Sequence, residues 1–184
     1  MADLGRNDRL PDALLPFLRP QQERPGVDPL LPALAPLTAG QSLVLIYPLE
    51  RRAIEVNPYG WRYAESRNSW RIHPGIDLIA DEGTAVRAAL PGTVRLVEMV
   101  SGYGLTVVID HGRGWQSLYA HLLDLAVMPQ QVVAAGEVIG RVGSSGQAST
   151  PHLHFELRHS QGERILALDP APLFDHTPLL EASR

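Results

Sequence analysis

No cysteine occurs among the 184 residues, and no lysine either, since all 16 basic residues are arginine. The first absence excludes disulfides, thiolate nucleophiles and thiolate-held metals, so any metal must rest on His, Asp or Glu. The second removes lysine as a catalytic base or Schiff-base former. A basic excess is missing as well: the formal net charge is -4, which gives no electrostatic reason to expect a nucleic-acid partner. No apolar run approaches the ~20 residues of a membrane-spanning helix. The opening stretch MADLGRNDRLPDALLPFLRP sets charges and prolines where a signal peptide would have its apolar h-region.

What is present divides the chain. Eight of the 16 prolines fall within the first 50 residues, in text without sustained periodicity. Residues 1–42 therefore read as a Pro-rich N-terminal arm or propeptide-like segment, residues 43–175 as the folded domain and 176–184 as a C-terminal tail. From Ser42 onward short β-rich runs recur between glycine-containing breaks: SLVLIY, GIDLIA, TAVRAAL, GTVRLVEM, LTVVIDH, WQSLYAHL, QVVAAGEVIGRVG and HLHFELR. Runs of this length and spacing predict a mainly β, antiparallel sandwich or barrel-like domain with little helix.

Seven histidines are spread over this text, at 73, 111, 121, 152, 154, 159 and 176. Single histidines are ordinarily structural, so the combinations matter. In His73-Pro-Gly-Ile-Asp77 the Pro-Gly step disfavours a helix and predicts a turn that shortens the His-to-Asp distance. An imidazole nitrogen and a carboxylate oxygen meeting there suit Zn²⁺, although a packed His and a turn-capping Asp would read the same. In His152-Leu-His154 both imidazoles emerge on one face of a strand, with Leu153 and Phe155 on the other and Glu156 on the histidine side. Adjacent same-face imidazoles are poor core material unless a metal or polar cleft satisfies them. His121, in SLYAHLLDL, gains significance if the fold sets it opposite His152. No HExxH stretch exists, so any hydrolytic metal site here would lack a glutamate base of that kind, and a neutral histidine near pH 7 would be a suitable candidate.

HPGID, GTAVRAALPGTV, GYGLTVVIDHGRGWQSLYAHL, GEVIGRVGSSG and PHLHFEL, in this order and spacing, resemble the lysostaphin/LytM-type zinc metallopeptidases over roughly residues 47–174. The resemblance implies a lysostaphin-type (duplicated hybrid motif) β domain with a groove. It implies Zn²⁺ held by His73, Asp77 and His154, with His121 and His152 as the two further catalytic histidines, their roles of base and oxyanion stabiliser unassigned. It also implies an endopeptidase acting on the stem peptides or cross-bridges of bacterial peptidoglycan, in the periplasm or outside the cell. Two departures are visible. Ala85 stands in GTAV where relatives often have GTPV, and Thr150 precedes Pro151 where relatives often have Gly. Thr cannot take positive φ as cheaply as Gly, which predicts a differently shaped groove wall.

Rival readings remain. A non-catalytic wall-binding or amidase-activator module of the same fold would use the same groove, and the intact ligand set counts against it. GTVRLVEM and VVAAGEVIGRVG resemble strands of biotinyl or lipoyl carriers, which need a lysine that the chain lacks. His111 reads as a tight-turn histidine, and His159 and His176 as exposed. Arg62 reads as a salt-bridge partner more readily than a substrate contact, and Trp61, Tyr103 and Tyr119, which could line a groove, read more readily as core. The Pro-rich arm is placed where it could lie across the groove and occlude it.

Overall fold

The computed structural model describes residues 45–174 apart from Ser66, Arg67, Gly162 and Glu163. The arm, the tail and His176 lie outside the described residues. The strands are β1 (Glu55–Asn57), β2 (Gly60–Ala64), β3 (Ser69–His73), β4 (Ile76–Ile79), β5 (Ala85–Arg87), β6 (Gly92–Val100) and β7 (Gly104–Gly112). β8 (Trp115–Leu125), β9 (Val132–Val133), β10 (Val138–Val142), β11 (His152–Gln161) and β12 (Arg164–Leu168) follow, and α1 (Ala171–Phe174) is the single helix among the described residues.

β1, β4, β11, β8, β7, β6 and β9 run side by side in one antiparallel sheet, β5 and β10 branch from it and β12 joins β11. β2 and β3 form a separate ribbon. β8 is the hub. It pairs with β11 and β7 over its first half and with β10 over its second. The change of partner coincides with register shifts against β7 and β10.

β11 is buried on both faces, which explains its lack of an apolar/polar solvent alternation. Leu153, Phe155 and Leu157 face a core shared with Tyr47, Leu78, Tyr119, Val142 and Phe174. His154, Glu156 and Arg158 occupy the other face and are buried too. The SLVLIY run departs from expectation: Leu45–Tyr47 is irregular. Ile46 N donates to Ala89 O and Leu49 makes a single bridge to Val86, so the segment packs against β5 without a ladder. The β2–β3 ribbon went unforeseen because its outer face carries exposed aromatics. Trp61 is among them, exposed and not core, whereas Tyr119 is fully buried.

Two glycines are required by close approach. A Cβ at Gly75, in the turn joining β3 to β4, would sit 2.2 Å from the Phe155 carbonyl oxygen. One at Gly104, where φ is 69°, would sit 2.4 Å from the Ser145 backbone. The first contact seats the HPGID turn on β11, and the second locks together the loops flanking the groove.

His111 is one of the core's polar elements and stands apart from the groove. Its Nδ1 donates to Pro91 O at 2.8 Å, and its Nε2 lies 2.8 Å from the Ser117 hydroxyl, which is 3.0 Å from the Tyr119 hydroxyl. Burial pushes the imidazole down to about 4, against the opposing pull of the Pro91 carbonyl. Between that value and the ordinary 6.5 the unfolded chain binds a proton that the folded chain refuses. Stability is thus full above about pH 6.5 and falls as pH drops toward 4, by about 3 kcal/mol from this group. Urea unfolding between pH 7 and 4 should show a shallower pH slope in His111→Gln than in the wild type, from a lower starting stability.

Candidate metal centre

The HPGID turn brings the end of β3 back over the start of β4. His73 Nε2 lies 2.9 Å from Asp77 Oδ1 despite the four-residue separation. β4 pairs with β11 so that Asp77 stands directly opposite His154, and His154 Nδ1 reaches Asp77 Oδ1 at 2.8 Å. His73 Nε2 and His154 Nδ1 are 3.2 Å apart. One ligand atom from each of His73, Asp77 and His154 thus falls within 4.8 Å of the others.

The outer contacts determine which atoms carry lone pairs. His73 Nδ1 is 2.8 Å from Pro58 O and donates to it, leaving Nε2 as an acceptor. His154 Nε2 is 2.9 Å from Glu156 Oε1 and donates to it, leaving Nδ1 as an acceptor. Three acceptors, His73 Nε2, His154 Nδ1 and Asp77 Oδ1, then converge, an arrangement that a cation satisfies and neutral donors do not. The residues fit a divalent metal, each imidazole oriented by an outer partner as such ligands require.

Without a cation, a proton fills the role. Burial opposes charge on His154, but hydrogen bonds to Asp77 and Glu156 outweigh it and lift the imidazole to about 9. Burial likewise opposes the Asp77 carboxylate, yet His154 and His73 hold it well below the usual range.

Glu156 is fully buried and accepts from His154 Nε2, from the Tyr103 hydroxyl at 2.7 Å and from Arg158 Nε at 2.5 Å. Burial would raise its pKa, but first the Arg158 charge and then His154 bring it down to about 2. Burial, then the Glu156 charge, raises the Tyr103 phenol above its ordinary value and keeps it a donor. Tyr103 therefore borders the site while packing against the core around Leu96 and Leu118. The strand parity of HLHFELR already set Glu156 beside His154, but nothing in the sequence marked Arg158 or Tyr103 as its partners.

His121 and His152 stack at 4.6 Å between ring centroids, beside this group. His152 Nδ1 donates to Thr150 O and His121 Nδ1 to Ser145 O, both at 2.7 Å. Each ring is thereby left with its Nε2 as the accepting nitrogen, and His152 Nε2 is 3.8 Å from Asp77 Oδ1. His121 reaches its position through a backbone φ of 60°, at the point where β8 changes register. A bulge there re-aims the side chain, at a strain of about 1–3 kcal/mol. Burial, followed by the neighbouring His152 and His154, pushes His121 down to about 4 in spite of its carbonyl partner. Thr150 does not have positive φ, and its carbonyl orients His152. All five histidine and aspartate positions border one cleft of about 350 Å³, with Tyr103 on its wall. His159 packs on Trp115 at 4.5 Å, partly buried and away from the cleft.

A family signature described as Peptidase family M23 matches residues 71–167, just over half of the chain. The chain belongs to peptidase family M23. This M23 domain is 44% identical over 102 residues to the DD-carboxypeptidase/endopeptidase Mpg of Neisseria meningitidis serogroup B, a match covering 55% of this chain and 24% of the relative. It is 40% identical over 111 residues to the murein hydrolase activator EnvC of Escherichia coli, covering 60% of this chain and 26% of the relative. The chain thus spans about a quarter of the length of these curated relatives. The catalytic domain of the antimicrobial peptidase lysostaphin from Staphylococcus simulans superposes with a TM-score of 0.56 at 28% identity, over 64% of this chain and 90% of that one. The lysostaphin-type fold expected from the motifs is the fold observed, and no described helix is long and apolar enough to cross a membrane.

The Glu156 contact makes a prediction. Glu156→Gln keeps the shape but weakens the partner that orients His154, and metal affinity should fall about 10–100-fold. Chelator competition, with thermal unfolding in parallel, reads the effect.

Proposed function

We propose that residues 43–175 form a zinc-dependent endopeptidase domain that hydrolyses peptide bonds in peptidoglycan stem peptides or cross-bridges, acting in the periplasm or outside the cell. The observation carrying this reading is the convergence of three lone-pair donors, His73, Asp77 and His154, next to His121 and His152, which border the same cleft with Nδ1 tied to a main-chain carbonyl. When bound, zinc supplies a Lewis acid that activates water and polarises the scissile carbonyl.

The remaining work belongs to the chain. Pro58 O and Glu156 fix the two ligand imidazoles. At neutral pH His121 is neutral, held low by burial, and it can take a proton at Nε2. The Thr150 and Ser145 carbonyls hold His152 and His121 in this tautomer, and they would also stabilise the imidazolium that forms when either ring accepts a proton. A ring protonated at Nε2 then returns that proton to the leaving amine, and the other stabilises the developing oxyanion only as the imidazolium, because a lone pair at Nε2 would repel it. Separate pH profiles of the two alanine variants assign the roles.

The name of the Escherichia coli relative favours a second reading, a hydrolase-activator module in which the groove binds and does not cut. Elemental analysis and muropeptide digestion separate the two. About one zinc per chain is expected in the wild type and in His152→Ala, and much less in His154→Ala. Cleavage should be abolished by His154→Ala and reduced about 10²–10⁴-fold by His152→Ala. A zinc-loaded wild type that cleaves no muropeptide favours the activator role.

We also propose that the arm, residues 1–42, restrains the groove. The full chain should then turn over more slowly than one starting near Leu43, and equal rates would remove the idea.

A further inference from the structure

The β2–β3 ribbon carries an arrangement that neither metal binding nor bond cleavage uses. Arg62 and Arg71 are directly paired across its two strands, on the face shared by His73, two residues beyond Arg71. Residues so paired have Cβ atoms about 4.5–5.5 Å apart, and like charges at that separation destabilise a ribbon. Trp61, Tyr63 and Trp70 are exposed on the other face, so the arginines are the side chains turned toward the metal ligands.

Protein acids do little to offset this pair. Arg62 approaches Asp77 Oδ2 at 3.8 Å, too far for a hydrogen bond, and donates to the Pro58 carbonyl. Among the described residues the Arg71 side chain forms no ion pair or hydrogen bond, and its Nε is buried without a partner. A dication on Asp77 would consume the one acid facing Arg62, leaving two guanidinium groups and a metal centre along one wall.

We propose that Arg62 and Arg71 form an anion subsite that grips a carboxylate of the peptide substrate, within one or two residues of the scissile bond. A guanidinium fork matches a planar carboxylate bidentately. Arg62 stands 3.8 Å from Asp77 Oδ2, and Arg71 lies directly opposite it across the ribbon. Occupation by a carboxylate relieves the like-charge repulsion between the two guanidinium groups. The proposal rests on the peptidase reading only in taking a peptide as the ligand, and it makes a free carboxylate near the cleavage point the preferred chemistry.

The test is titration of the zinc-loaded full chain with acetyl-trialanine and with its C-terminal amide, recorded in the first seconds after mixing through the fluorescence of Trp61 and Trp70. The free acid should bind at least about tenfold tighter than the amide. Arg71→Gln and Arg62→Gln should each weaken binding of the acid and leave the amide unchanged, with zinc content held. Arg71→Lys should restore the preference in part, since it keeps the charge and loses the fork. Equal binding of the two peptides, binding of neither, or an unchanged preference in both glutamine variants overturns the subsite. If the acid is preferred and lost as expected while no muropeptide is cleaved, the subsite stands and the endopeptidase reading fails.

Discussion

The site depends on one alignment, the pairing of Asp77 with His154 across β4 and β11. It places an acid and an imidazole face to face and runs from the half-buried Asp77 into a buried row of alternating charge: His154, Glu156, Arg158. Each member is tolerable only because of the next. Removing one partner of a buried pair leaves an uncompensated charge, at about 3–5 kcal/mol, which is far more than the pair contributes net. The face of β11 that could have been apolar is thus committed to a polar row, and a slip of one residue in register would turn Leu153 and Phe155 onto it.

Much of this was legible in the text. Strand parity put His152, His154 and Glu156 on one face, and the Pro-Gly step correctly brought Asp77 back to His73. Parity could not reveal His121's partner, because His121 owes its aim to a bulge and a left-handed backbone that no local residue announces; it carries neither Gly nor Asn there. Tyr103 escaped for a related reason. Its neighbour Glu156 lies 53 residues away, and an aromatic in a β-rich run reads as core until the far strand is in place. The β2–β3 ribbon escaped because its exposed aromatics imitate a core pattern, while its inward face is arginine and histidine.

Carbonyl oxygens act throughout as tautomer selectors. Pro58, Ser145 and Thr150 each accept from an Nδ1, and Glu156 accepts from the one histidine bound the other way round. Four imidazoles are thereby held with a chosen nitrogen free, using main-chain groups from loops and a single side chain. Thr150 shows how little such a role asks of residue type, since its carbonyl serves whatever stands at the position.

His73 and His154 are 81 residues apart, and His121 joins them from a third strand. The candidate metal ligands come from β3, β4 and β11, so they converge only once β4 and β11 have docked, after the loop-closure cost of distant pairing has been met. A metal that binds the finished site and not the open chain adds its occupancy to the folding equilibrium, about 2.7 kcal/mol at a hundredfold excess over the dissociation constant. Ion supply in the surroundings would then set the lifetime of the fold as well as its chemistry.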